Sequence, residues 1–357
     1  MNKETLNKVT VVIPTRDRYS KLTRLLVFLK KHSPYVNIIV LDSSASKSKN
    51  VVLKNILNGE HIVYQLFHEK ISLSNKIAKG LQLVQTEYSV MCADDDLIIP
   101  DGGAECIKFL DWNPDYSVAH GRYISFLSSS NNGKSKENFY WSRRYDTDSI
   151  ELESSLERAA YYYEVTTAPN FYGVYRTKLH RIIMDGASKM EEIRFQEHIQ
   201  AIMSLIHGKD KRLDVFYYAR EKVKKKTRLA SIGTLINDGI FDKKYEKFKE
   251  IILPYLTKET GKDIDICEKR IDSAFSKWVH DSFDNNTKDI GILDRIVSIV
   301  RNVGIVQKIR IVFFGKNYYY NKTMSLGDDS MSGIYTNVSL VKQSVLDDKP
   351  KILNISK

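Results

Sequence analysis

The chain has 357 residues, 42% of them hydrophobic, which is enough for a buried core in one large domain with an appendage or in two domains, and excludes a disordered chain. A formal charge of +11 at pH 7 makes the average surface attractive to anions: nucleotides, nucleic acid or an anionic membrane face. Cys92, Cys106 and Cys267 are too few and too scattered for a disulfide framework or a cysteine zinc site, and no run reaches the ~18 apolar residues of a membrane span, so the expected location is cytoplasmic, with peripheral attachment to the inner face of a membrane left open.

Residues 9–14, VTVVIP, are a β-branched run stopped by proline; TRDRYS then leads into KLTRLLVFLKK, whose leucines recur at helical spacing. The strand, loop and helix repeat. NIIVLD (37–42) reads as a buried strand, SSASKSKN as a loop and VVLKNILNG as a helix closed by Gly59. HIVYQLF (61–67) is a third strand, SLSNKIAKGLQLVQ (72–85) an amphipathic helix and EYSVMCA (87–93) a fourth strand. Such alternation predicts an α/β fold with a mostly parallel sheet and flanking helices. Ligands of these sheets sit at the carboxyl ends of the strands, where three loops converge: 14–18, 42–44 and 94–96.

Beyond residue 115 the pattern changes. DYSVAHGRYISFL (115–127) reads as a strand, SSSNNGKSKEN as a polar loop, and a Tyr- and Thr-rich segment ends in TTAPNFYGVYRTKLH (166–180). EEIRFQEHIQAIMSLIHG (191–208) is a helix and KRLDVFYYAR (211–220) a last strand. KVKKKTR (222–228) then packs five basic residues into seven, and the chain reads as mainly helical to Phe314. The expected organisation is a catalytic domain over 1–225, with a donor half of 1–115 and an acceptor half of 116–225, and a helical region over 226–357 suited to membrane or partner association.

Within VMCADDDLIIPDGG, Asp94, Asp95 and Asp96 stand between two apolar runs, where three like charges are unfavourable unless something positive holds them. Carboxylate oxygens suit Mg²⁺ or Mn²⁺, which take one or two carboxylates plus substrate phosphate oxygens. The plainer reading is a solvated turn, with Asp101 capping the next helix. Their place at a strand end favours the cation.

Together VTVVIPTRDR, NIIVLDSS, SNKIAKGLQLVQTEYSVMCADDD and RFQEHIQ resemble an inverting GT-A glycosyltransferase of the family 2 type, in a bacterial subset with an ADDD version of the DxD motif, over residues 8–220. The resemblance implies a Rossmann-like GT-A fold, a nucleotide-sugar donor, Mg²⁺ or Mn²⁺, and a glycan or lipid-linked acceptor in surface polysaccharide synthesis. It assigns Pro14, Thr15 and Arg16 to the loop that touches the nucleotide and Asp42 to the first acidic position after the second strand. Many relatives carry a second acid next, toward a uracil base; here Ser43 stands there, so the base is open. Lys76 falls near a basic residue used toward the donor, with a helix-surface lysine as an equal reading.

Aligning Glu87 and Tyr88 with the usual start of the fourth strand puts Ala93 at the family's first aspartate, leaving Asp95 or Asp96 as metal ligand and Asp94 nearer the ribose; Asp94-x-Asp96 is the competing register. Inverting transfer needs a carboxylate to take the acceptor's proton. Glu197 matches that base, with Glu192 and Glu191 as rivals that a helix-dipole role also explains. Arg220 and Lys222 follow the last strand toward the diphosphate, although a solvated or membrane-facing basic stretch explains 222–228 better.

His120 and His198 are read as packed or solvated and not as ligands, and Tyr161 to Tyr163, Phe171, Tyr172, Tyr217 and Tyr218 as core or edge packing. The segment 291–315, apolar with Arg295, Arg301, Lys308 and Arg310, fits a helix packed on the domain and an anionic bilayer surface equally well. Two other classes are weaker. A sugar-nucleotide nucleotidyltransferase would want a Gly-rich phosphate loop where TRDRYSK has none, and a nucleic-acid-binding protein would want a zinc-finger or RNP-type signature, so no nucleic-acid partner is expected.

Overall fold

The computed structural model describes residues 3–45, 51–129, 138–145, 148–165, 170–222 and 232–284. In chain order the first half comprises α1 (Lys3–Asn7), β1 (Val9–Thr15), α2 (Tyr19–His32), β2 (Asn37–Asp42), α3 (Val51–Leu57), β3 (Ile62–Leu66), α4 (Leu73–Leu81) and β4 (Tyr88–Met91). The second comprises β5 (Leu97–Ile98), α5 (Pro100–Trp112), β6 (Tyr116–Ser129), β7 (Asn138–Tyr145), α6 (Ser155–Val165), β8 (Val174–Arg176), α7 (Thr177–Ser188), α8 (Ile193–His207) and β9 (Lys209–Glu221). Helices α9 (Ile232–Asn237), α10 (Phe241–Thr260) and α11 (Ile264–Asp284) follow.

The strands form one sheet in the order β3-β2-β1-β4-β8-β6-β9-β5, with β7 against β6. Its first four strands are all parallel, as the strand and helix alternation predicts. Beyond them β8 runs antiparallel to both β4 and β6, β6 and β9 are parallel, and β5 and β7 are antiparallel additions. The α/β fold with a helical C-terminal region is therefore observed, with a more mixed acceptor half than donor half.

Period-two alternation sorts the side chains of β1 and β2 onto the two faces. Val11, Ile13, Ile38 and Val40 join α2, α3 and α5 in one core, while Val12, Ile39 and Leu41 join α4, α7 and α8 in the other. Both faces are covered, so these strands read as nearly unbroken apolar runs. The second core continues into the C-terminal helices, where Phe195 of α8 packs with Phe248 of α10 and Phe275 of α11. The expected domain boundary near residue 225 falls in 223–231, and the basic amphipathic segment 291–315 in 285–357; both lie outside the described residues. Among the described residues no helix is long and apolar enough to cross a membrane.

Two local features set up the site. Register places Thr15 opposite Asp42, and Asp42 opposite Leu66, so β1, β2 and β3 end level with one another. Helix α4, capped by the Ser72 side chain accepting from the Asn75 amide at 3.2 Å, lies so close to β2 that a Cβ on Gly80 would collide with Leu41. Lys76, one turn before Gly80, shares that inward face.

Candidate active site

The three expected loops meet at the strand ends and are stapled to one another. Asp17 has a left-handed backbone (φ 54°); its amide donates to Ser44 Oγ at 2.7 Å, and its Oδ1 accepts from the Ala45 amide at 3.1 Å. Lys76 Nζ donates to the Thr15 carbonyl and to Ser43 Oγ, each at 2.8 Å. It is 4% exposed, so the helix-surface reading of this lysine is corrected. Burial pulls its pKa down to about 8 against the opposing pull of Asp42 and Asp94. Pro14 and the exposed Arg16 flank this junction, Arg16 Nε lying 3.9 Å from Asp17.

Asp42 is fully buried. Its Oδ1 accepts from the Ser44 amide at 2.8 Å, and its Oδ2 accepts from Tyr19 at 3.0 Å and from Tyr64. Burial pushes this carboxyl up, but the donors from Ser44, Tyr64 and Tyr19 outweigh it and hold the pKa below the ordinary aspartate value. Asp42 is thus an ionised carboxylate prepaid with hydrogen bonds at the end of β2.

The aspartate run divides by environment. Asp94, fully buried, accepts from Thr15 Oγ1 at 2.7 Å and pairs with Arg18 at 2.6 Å. Burial raises its pKa to about 6 despite Arg18 and Thr15. Asp96 turns into the protein: Oδ1 accepts from the Glu221 amide at 2.8 Å and Oδ2 from Tyr218 at 3.1 Å. Burial and the neighbouring Asp95 push it up to about 8, against Glu221, Arg220 and Tyr218. Asp95 keeps a partly exposed side chain whose Oδ2 accepts from Arg18 at 2.5 Å, while its backbone carbonyl accepts from Arg24 at 2.5 Å. The solvated-turn reading of this run is corrected, since Asp94, Asp95 and Asp96 are all buried; the cap position of α5 is Ile99, with Asp101 in the first turn.

The end of β9 closes the site. Glu221 accepts from Lys21 at 2.9 Å and from Arg24 at 2.9 Å, tying α2 to β9 behind the aspartates. The exposed Arg220 lies 5.9 Å over the Tyr172 ring, which stacks on Tyr218 at 4.7 Å. Lys222 donates its amide to the Phe126 carbonyl at 2.7 Å.

The three glutamates lie on or beside α8 and, among the described residues, their polar contacts run elsewhere than to the aspartates. Glu192 is the cap of α8, accepting from the Phe195 amide at 2.9 Å; Glu191 accepts from Lys244 at 2.9 Å; Glu197, exposed, pairs with Arg194 at 3.2 Å. The histidines are packing residues: His120 and His198 are buried, His198 among Tyr162, Tyr163 and Trp278.

Residues 10–181, which carry all of this strand-end cluster except Tyr218, Arg220, Glu221 and Lys222, match the model of glycosyl transferase family 2. That segment is a family 2 glycosyltransferase domain. A crystal structure of S. aureus TarS, residues 1–349, is 14% identical and superposes with a TM-score of 0.52, covering 80% of this chain and 75% of that one, which supports the same fold. The same fragment in complex with UDP is 16% identical (TM-score 0.45, 79% and 74% covered), and in complex with UDP-GlcNAc 16% identical (TM-score 0.49, 82% and 80% covered). No curated protein matches the chain.

Several residues at these strand ends carry no local sequence signal. Arg18, Tyr19, Tyr64, Tyr218 and the Glu221 amide reach the expected carboxylates, and Arg24 the Asp95 backbone carbonyl, from three elements (α2, β3 and β9) and the β1–α2 loop, through contacts that only the sheet order creates. For a divalent cation the donor set fits in one form. No group of three or more His, Cys, Asp or Glu side chains is gathered to hold a metal among the described residues, but a cation completed by diphosphate oxygens needs only one or two carboxylates. Asp95 has an Oδ1 that accepts no hydrogen bond among the described residues, and the loop already holds a positive charge in Arg18.

Proposed function

We propose that the chain is a metal-dependent inverting glycosyltransferase that moves a sugar from a nucleotide-sugar donor to a glycan or lipid-linked acceptor in bacterial surface polysaccharide synthesis. The observation that carries this reading is the convergence of Thr15, Asp42, Lys76, Asp94, Asp95 and Asp96 at the carboxyl ends of adjacent parallel strands inside a family 2 segment. Pro14, Thr15 and Arg16 line the nucleotide side, with the ionised Asp42 as acceptor for base or ribose donors. Lys76 holds the first two loops together as a buried cation, and Arg18 and Arg220 present exposed positive charge toward the diphosphate.

Asp95, with Asp96 as the alternative, would hold Mg²⁺ or Mn²⁺, which when bound neutralises charge on the leaving diphosphate. The acceptor oxygen attacks the anomeric carbon opposite the nucleotide, the bond to the diphosphate breaks with its electron pair, and the hydroxyl proton passes to a carboxylate. Glu197 is assigned that role. Glu192 is engaged as a helix cap and Glu191 by Lys244, whereas Glu197 is exposed and, among the described residues, hydrogen-bonds its neighbour Arg194. The charge of +11 supports a peripheral place on an anionic membrane surface, where a lipid-linked acceptor would lie.

The test is a panel of nucleotide sugars incubated with the full chain and Mn²⁺, read as nucleotide release. The proposal expects turnover of one donor class, abolished by chelation and by Asp95→Ala. A chain that turns over none of the panel would leave it without support.

A further inference from the structure

Arg18 is the cation that the aspartate loop already holds. Its NH2 lies 2.6 Å from Asp94 Oδ1 and its NH1 donates to Asp95 Oδ2 at 2.5 Å, so one planar guanidinium bridges two consecutive carboxylates. The left-handed turn at Asp17, fixed by Ser44, sends the chain back toward residues 94 and 95 after β1 has ended. Exposure is graded across the contact: the Asp94 side chain is 0% exposed, Asp95 12% and Arg18 46%. The guanidinium therefore closes the open side of the loop and turns its outer edge to solvent.

The loop does not depend on Arg18 for its shape. Arg24 holds the Asp95 carbonyl, Thr15 holds Asp94, and Tyr218 and the Glu221 amide hold Asp96. What Arg18 supplies is charge. A cation on the Asp95 Oδ1 would sit beside the guanidinium held on Oδ2, and the two positive charges would repel across a short distance. A diphosphate changes the balance, since a guanidinium binds phosphate oxygens as readily as carboxylate oxygens.

We propose that Arg18 is a resident counter-ion that a divalent cation must displace from Asp95, and that a nucleotide diphosphate draws it away, so that cation and donor enter this site together. The diphosphate half of this inference rests on the glycosyltransferase reading; the competition between Arg18 and the cation does not. Reciprocity then requires that the cation raise nucleotide affinity by the same factor that the nucleotide raises cation affinity.

The experiment measures Mn²⁺ binding to the full chain by electron paramagnetic resonance of the free ion, alone and with UDP, GDP, CDP or dTDP. In the wild type one of these nucleotides raises Mn²⁺ affinity about tenfold, a typical coupling. Arg18→Gln raises affinity for Mn²⁺ alone about tenfold and removes most of the nucleotide's enhancement. Arg18→Lys, which keeps one charge but loses the bridging fork, falls between the two and serves as the deciding variant if Arg18→Gln does not fold. Unchanged or weaker binding of Mn²⁺ alone in a folded variant overturns the competition. No response to any of the four nucleotides, with Arg18→Gln still gaining Mn²⁺ affinity, upholds the competition and overturns the donor reading instead.

Discussion

The backbone amide of Glu221 donates to Asp96 Oδ1 at 2.8 Å, joining the last residue of β9 to the loop after β4 across 125 residues. Tyr218, three residues earlier on the same strand, takes the other oxygen. Burial and the neighbouring Asp95 push its pKa up to about 8, toward the neutral form, and Asp96 acts as the bracket between the two halves of the sheet. Asp96→Asn, similar in shape and uncharged, should change stability by less than about 1 kcal/mol. Asp96→Ala removes the acceptor of the part-buried Glu221 amide and the carboxylate partner of Tyr218, whose phenol keeps the Ala93 amide and Cys92 Sγ, and should cost about 1–3 kcal/mol. Urea unfolding of both variants checks this.

Lys76→Met should leave the helix in place, since Met is a good helix former of similar length, while removing the cation between the Thr15 carbonyl and Ser43. Nucleotide affinity, measured by calorimetry, is expected to fall about tenfold, the size of one lost charge-assisted contact. Unchanged affinity would assign Lys76 to the fold alone.

Gly80→Ala links packing to the site. A Cβ there meets Leu41 of β2, so α4 must shift outward or Leu41 must leave its rotamer. Overpacking of this kind costs about 1–3 kcal/mol. Because Lys76 is carried one turn away on the same helix, the variant should lose nucleotide affinity as well as melting temperature. Gly103→Ala, at a helical glycine with open space around its Cβ position, should lose neither.

Acid stability should depend on buried histidines. Burial pulls His180 down to about 3, and burial with Arg194 pulls His198 down to about 4. Both lie below the ordinary value near 6.5, so between these values the unfolded chain binds more protons and stability falls as pH falls. The loss begins near pH 6.5 and continues to about 4, at about 1.4 kcal/mol per pH unit for each histidine. His198→Phe, placed among Tyr162, Tyr163, Phe275 and Trp278, keeps an aromatic ring and removes the titration. Melting curves from pH 7 to pH 5 should show a smaller drop for His198→Phe than for the wild type.

What could be read in advance follows from range. VTVVIP, NIIVLD and YSVM are apolar runs because β1, β2 and β4 are covered on both faces, and a strand's end is a local event, so the loops at Thr15, Asp42 and Asp94 were legible. Helix α5 was obscured by Gly102 and Gly103, which depress helix propensity although Gly102 packs directly against the β9 backbone. Short β8 and β5 carry only three and two residues, too few for any periodicity. Arg18 stood in plain view within TRDRYSK, but its role depends on a left-handed turn and on β4 lying beside β1. Tyr64 and Tyr218 looked like ordinary strand tyrosines; that each phenol donates to a site carboxylate depends on partners 22 and 122 residues away.

The most direct measurement is an anomalous difference map from crystals of the full chain grown with UDP and Mn²⁺. The account predicts a manganese peak within bonding distance of an Asp95 oxygen, or failing that of Asp96, with diphosphate oxygens completing its shell and Arg18 moved from Asp95 to the phosphates. UDP bound at the strand ends with Arg18 still bridging Asp94 and Asp95, and no manganese at the aspartate loop, would contradict it.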